Sequence, residues 1–147
     1  MGLNRRRWTK LRSRLYPLMI DNFQIHIALW RMGAEPIPRF WITLGCGTEQ
    51  QVVFDYPHCE TSIQERQKIK WQNHMMVFSE LMSEYINTSS TELIEKTWTN
   101  DKYGLTDIFK ACDRRIGYRR LQVLENALQN EQAISIVLQR IRKYKVK

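Results

Sequence analysis

The sequence predicts an α+β fold: a three-stranded antiparallel β-meander packed against about four α-helices, with an additional basic N-terminal helix. Three observations support it. Residues 23–56 alternate apolar and polar side chains with the two-residue period of strands, and the links between the segments are too short for parallel crossovers. Residues 62–144 instead repeat apolar side chains at the three- and four-residue spacing of helices. Ahead of both, Trp8, Leu11 and Leu15 mark one face of a segment otherwise rich in arginine. With 147 residues, 43% of them hydrophobic, the chain is long enough to enclose a core, and we read residues 1–147 as a single domain.

The N-terminal helix is expected over residues 1–16, with Asn4 as its cap. Pro17 stops it, because the residue before a proline avoids the helical region. Its apolar face suits packing on the core and leaves the arginines outward. In the meander, Phe23, Ile25, Ile27 and Leu29 alternate with Gln24, His26, Ala28 and Trp30, and residues 33–38 read as a loop. Phe40, Ile42 and Leu44 make the second strand and, past a turn at residues 45–48, Val52, Phe54 and Tyr56 make the third.

Ser62 and Glu65 have the spacing of a capping box. The helix they open carries Trp71, Met75, Phe78, Met82 and Tyr85 on one stripe and is expected to be the central core helix. A shorter helix is expected at residues 91–98, capped by Ser89 or Ser90. Leu105, Ile108, Phe109, Cys112 and Ile116 share the face of the next one. The following stripe, Leu121, Leu124 and Leu128, points about a quarter turn away at ~100° per residue, so a break is expected between them. Gly117 in the left-handed conformation is the expected end, with a new helix near Tyr118. Ile134, Val137, Leu138 and Ile141 mark the last helix.

The net charge of +8 is unevenly distributed. Arg5, Arg6, Arg7, Lys10, Arg12 and Arg14 crowd the N-terminus; Arg114, Arg115, Arg119 and Arg120 flank Gly117; Arg140, Arg142, Lys143, Lys145 and Lys147 end the chain. No acid interrupts these three windows, and the remainder of the chain is net −7. Such a distribution fits a directed electrostatic surface better than general solubility. The expected binding residues are Arg5, Arg6, Arg7, Lys10, Arg114, Arg115, Arg119, Arg120, Arg140, Arg142 and Lys143. Their expected partner is nucleic acid or another polyanion, met through phosphate contacts rather than base reading. An alternative is an interaction or regulatory factor that sets the same segments against an acidic protein.

Signs of catalysis are sparse. Gly45, Cys46 and Gly47 place a thiol between glycines, but a nucleophile elbow needs a strand turning into a helix, and here another strand follows. Asp55, His58 and Glu60 lie close together past a strand end and offer a third reading, a small metal-dependent hydrolase or nuclease. An exposed, capped loop is the preferred account of them, and we expect no catalytic centre, metal or cofactor there. His26 and His74 have no evident partner in the sequence. Cys46, Cys59 and Cys112 are an odd number without a close pair, which fits reduced thiols. With no apolar run of the ~18 residues a span needs and no signal-peptide pattern, the expected location is cytoplasmic.

Overall fold

The alternating segment forms the meander. In the computed structural model, which describes residues 5–32, 35–45, 47–56 and 71–145, β1 (Gln24–Met32), β2 (Glu35–Leu44) and β3 (Gln51–Tyr56) pair antiparallel in that order. The β1–β2 ladder runs from Gln24 opposite Thr43 to Met32 opposite Glu35. It therefore passes through Pro36 and Pro38, where the sequence suggested a loop. Proline lacks an N–H, so each can stand in a strand only where no ladder bond needs that donor; among the described residues β3 pairs with β2 up to Tyr56 opposite Phe40. Gly45, at φ +89°, turns the chain toward β3; a Cβ there would come within 2.8 Å of the Glu49 carbonyl oxygen.

Among the described residues there are five α-helices: α1 (Arg5–Leu15), α2 (Trp71–Ile86), α3 (Leu105–Cys112), α4 (Tyr118–Ala127) and α5 (Glu131–Lys145). The inner sheet face, with Ile25, Phe40, Ile42, Phe54 and Tyr56, is buried. Trp8 of α1 packs on Phe40 with ring centres 5.6 Å apart, and Phe78 of α2 sits 5.1 Å from Phe40 and 5.0 Å from Tyr56. Leu11 and Leu15 are buried with Trp8, so the apolar face of α1 belongs to the core.

Four expectations need correction. The most enclosed helix is α3 rather than the long α2: every α3 residue except Asp107 is buried. Residues 91–95 form successive turns and 96–98 no regular structure, instead of a helix. There Ser89 bonds locally to Thr91, and the Lys96 carbonyl accepts the Lys110 ammonium, an alternative to the helical ladder. α5 buries Ala133, Ile136, Val137 and Ile141, so its inner face is rotated from the predicted one and leaves Ile134 and Leu138 half-buried. Finally, the break comes earlier than Gly117. α3 ends at Cys112, and Gly117 is extended, at φ −89° and ψ −175°.

The cause of that early end is tertiary. Asp113 turns extended and bridges to Met19, the Ile20 amide donates to the Cys112 carbonyl at 2.8 Å, and the Arg114 amide donates to the Leu18 carbonyl at 2.9 Å. These bonds stitch the segment after α1 to the end of α3. The new helix at Tyr118 is as expected. Asn4, Cys46 and the Ser62/Glu65 capping box lie outside the described residues. No helix among those described is long and apolar enough to cross a membrane.

Candidate polyanion-binding groove

Asp113 fixes the arginine-rich turn. Its carboxylate is fully buried and accepts the Tyr85 hydroxyl at 2.6 Å, the Arg115 amide at 2.9 Å, and the Arg115 Nε and Nη2 at 3.0 and 2.7 Å. The bond to Asp113 raises Arg115 further above its ordinary range. Arg115 is thus held inward as half of an ion pair. Arg120 donates to the Ser90 carbonyl and joins α4 to the 89–95 turns. Neither side chain is presented freely to a ligand.

Arg140 is also structural, but in a different way. Its guanidinium donates to the carbonyls of Ala111 (2.8 Å), Asp113 (3.0 Å) and Ile116 (2.9 Å), binding α5 to the α3–α4 turn. Those acceptors are neutral, and no carboxylate lies within ion-pair distance of Arg140 among the described residues. Desolvation lowers its pKa, yet a guanidinium keeps its proton across the working pH range. A partly enclosed positive charge therefore sits without a carboxylate in contact, with Asp113 acting on it only through space.

That charge contributes to a groove of about 680 Å³, lined by Met19, Ile20, Asp21, Asn22, Arg114, Arg140, Lys143 and Tyr144. Three cations face one carboxylate, Asp21. Arg114 and Lys143 are exposed, as is Tyr144, a residue 46% accessible whose ring tilts against Tyr118 at 5.4 Å. Asn22, in the left-handed region at φ 68°, turns the opposite lip. Folding thus brings together cations from the second and third basic windows. Arg119 and Arg142 are exposed on α4 and α5 but do not line this groove.

The first window stays apart. Arg6, Arg7 and Lys10 are exposed on α1, Arg12 donates to the Ile25 carbonyl at 3.3 Å, and Arg14 donates to Asn87 at 3.1 Å. No α1 residue lines the groove. At ~1.5 Å rise per residue, Arg7 lies roughly 12 Å along the axis from the Leu15 end, more than a Debye length of ~8 Å at physiological salt. Arg5 begins the same helix, farther out still. Sequence reasoning missed Asp21, Asn22 and Tyr144; an exposed tyrosine between Lys143 and Lys145 was the available signal.

The other candidates resolve differently. Asp55 is clasped by Arg39, with Nε and Nη2 at 2.8 and 2.7 Å from its two oxygens, while His58, Cys59 and Glu60 lie outside the described residues. Among the described residues no group of three or more His, Cys, Asp or Glu is placed to hold a metal. His26 does have partners: its ring stacks on Trp41 at 4.9 Å and its Nε2 lies 2.8 Å from Thr43 Oγ1. Burial, then Arg12 and Arg39, lowers its pKa. For His74 only the helical backbone of α2 is described.

Burial pushes the Cys112 thiol up from 9.0 to about 12 and, with Asp113 adding, raises Tyr85 well above 10.0. Both folded pKa values exceed the unfolded ones, so their contribution is complete below about pH 9 and is lost as pH rises toward the folded values. Urea melts between about pH 8 and 11 should show stability falling above pH 9, with a shallower fall in Cys112→Ala by up to ~1.4 kcal/mol per pH unit. Equal slopes in the two proteins would contradict this assignment. Lys110 titrates in the opposite sense, but equally in both, so the difference isolates the thiol.

Among known proteins, neither a curated sequence nor a solved structure matches the chain. Residues 72–143, just under half the chain, match the SF0329 protein family, whose description states no activity. The similarity runs from the second residue of α2 to Lys143 in α5, so it includes Arg114, Arg140 and Lys143 and excludes the lip at residues 19–22.

Proposed function

We propose that this protein is a non-enzymatic nucleic-acid-binding module that engages phosphates in the groove between residues 19–22 and the C-terminal half of α5. The observation that carries the reading is the meeting of Arg114 and Lys143, from two separate basic windows, with Arg140 in one groove. Phosphates neutralise such charges and release counterions, so affinity falls steeply with salt. Tyr144 favours nucleic acid over an acidic protein or a sugar polyanion. It places an exposed ring beside the cations, the pairing that single strands use for base stacking and backbone contact together. The exposed cations beside the groove on α4 and α5, Arg119 and Arg142, extend the positive field and steer encounter. A cytoplasmic location belongs to the same proposal.

Fluorescence anisotropy with a labelled single-stranded oligonucleotide tests it. Arg114→Ala with Lys143→Ala should lower the slope of log affinity against log salt by about 1.4, from ~0.7 for each single-strand phosphate that is no longer neutralised. Melting temperature should stay close to wild type, since both side chains are exposed. Tyr144→Ala should weaken the oligonucleotide by roughly 1–3 kcal/mol and leave heparin binding unchanged. An unchanged slope in the double variant would refute the groove. Equal loss of heparin and oligonucleotide in Tyr144→Ala would replace nucleic acid by polyanions in general.

A further inference from the structure

We propose that a cleft at the N-terminal ends of α3 and α5 is a second binding site, for a small organic carboxylate held by the ammonium of Lys110. It shares no lining residue with the basic groove, so either site stands or falls without the other.

Lys110 is 5% exposed on the most enclosed helix of the molecule. Its Nζ donates to the Lys96 carbonyl at 2.6 Å and lies 5.4 Å from the centre of the Trp98 ring. An ammonium carries three N–H groups, so two of them have no protein acceptor among the described residues. None of the described carboxylates comes within ion-pair distance. A buried charge without a counter-ion is unfavourable unless something else supplies one. Desolvation lowers the Lys110 pKa, and the more distant Asp107 and Asp101 only partly oppose it.

The cleft beside this ammonium measures about 410 Å³, the size of a small-molecule site. Its two acids are occupied elsewhere. Asp101 accepts the amides of Leu105 (2.8 Å) and Thr106 (2.7 Å) and the Thr106 hydroxyl (2.5 Å), capping α3 in place of a side chain at Gly104. Asp107 accepts the amides of Gln129 and Asn130, both at 3.1 Å. Gly104, at φ +75°, brings the two helix starts so close that a Cβ would lie 2.8 Å from the Asn130 side-chain nitrogen. The walls are consequently fixed before any ligand arrives.

Charge selects the ligand. Lys102 and Lys110 stand against Asp101 and Asp107 in the lining, so a singly charged carboxylate suits the Lys110 ammonium better than a doubly charged phosphate, which the two acids would repel. Trp98, Ile94 and Ala127 offer an apolar surface among the polar lining residues and suit a small apolar body. A monocarboxylate with an aromatic or aliphatic tail matches both features.

Sodium benzoate is the probe, added to the full chain carrying ¹³C-labelled lysine. The Lys110 Cε resonance should shift saturably, and its pKa should rise as the carboxylate compensates the charge. Lys110→Met should lose saturable binding, while Arg119→Ala, on the exposed face of α4 outside the cleft, should keep it. A linear or absent shift overturns the site, and inorganic phosphate competing as well as benzoate overturns the carboxylate assignment. Should Lys110→Met fail to fold, the nuclear Overhauser effect between benzoate and the Trp98 indole in the wild-type chain decides. Its presence supports the site and its absence overturns it.

Discussion

Asp113→Ala should destabilise the protein by about 3–5 kcal/mol, the range for removing one partner of a buried ion pair. The side chain is wholly enclosed and receives four donors from Tyr85 and Arg115. Without it the buried Tyr85 hydroxyl loses its acceptor, which alone costs ~1–3 kcal/mol. Arg115 is a quarter exposed and can turn toward water, so its share of the loss is smaller. Asp113→Asn should fall between, because one carbonyl oxygen remains while the new amide faces the guanidinium donors. Urea unfolding would show the loss as a lower midpoint at constant slope. A change below ~1 kcal/mol would mean that the α3–α4 turn does not depend on this carboxylate.

Phe78→Ala should cost about 3–5 kcal/mol for a different reason, a cavity in the aromatic layer between α2 and the sheet. Phe78 is 2% exposed, and its ring centre lies 5.1 Å from Phe40, 5.9 Å from Phe54, 5.0 Å from Tyr56 and 6.1 Å from Tyr103. Those rings belong to β2, β3 and the turn before α3, so collapse around the truncated side chain would have to move several elements at once. Against a total stability of ~5–15 kcal/mol, the loss would unfold a substantial fraction of a marginal domain. Phe78→Leu should lose less, because most of the volume is kept. Near-wild-type stability of Phe78→Ala would show that the α2 stripe is not enclosed.

Periodicity made the meander, the α2 stripe and the helix start at Tyr118 legible, since each follows from which side chains share a face. The register of β2 was obscured by Pro36 and Pro38, which read as loop residues although both stand in the ladder with β1. The end of α3 was hidden because Cys112 and Arg114 bond to the backbone of residues 18–20, a partnership remote in sequence. Within the basic windows, composition gave the charges but not their environments. Arg114 and Arg115 are adjacent, yet one lines a groove and the other is bound to Asp113. Lys110 drew no notice because nothing in the sequence marks a lysine on α3 for burial.

The groove is tested most directly by amide and side-chain chemical-shift mapping while a single-stranded oligonucleotide is added to the ¹⁵N-labelled protein. Perturbations should centre on Arg114, Lys143, Tyr144 and Asn22, with the Arg140 guanidinium shifting and the Asp55–Arg39 pair on the sheet unaffected. Shifts confined to Arg6, Arg7 and Lys10 on α1, or no saturable shift at low salt, would contradict the account.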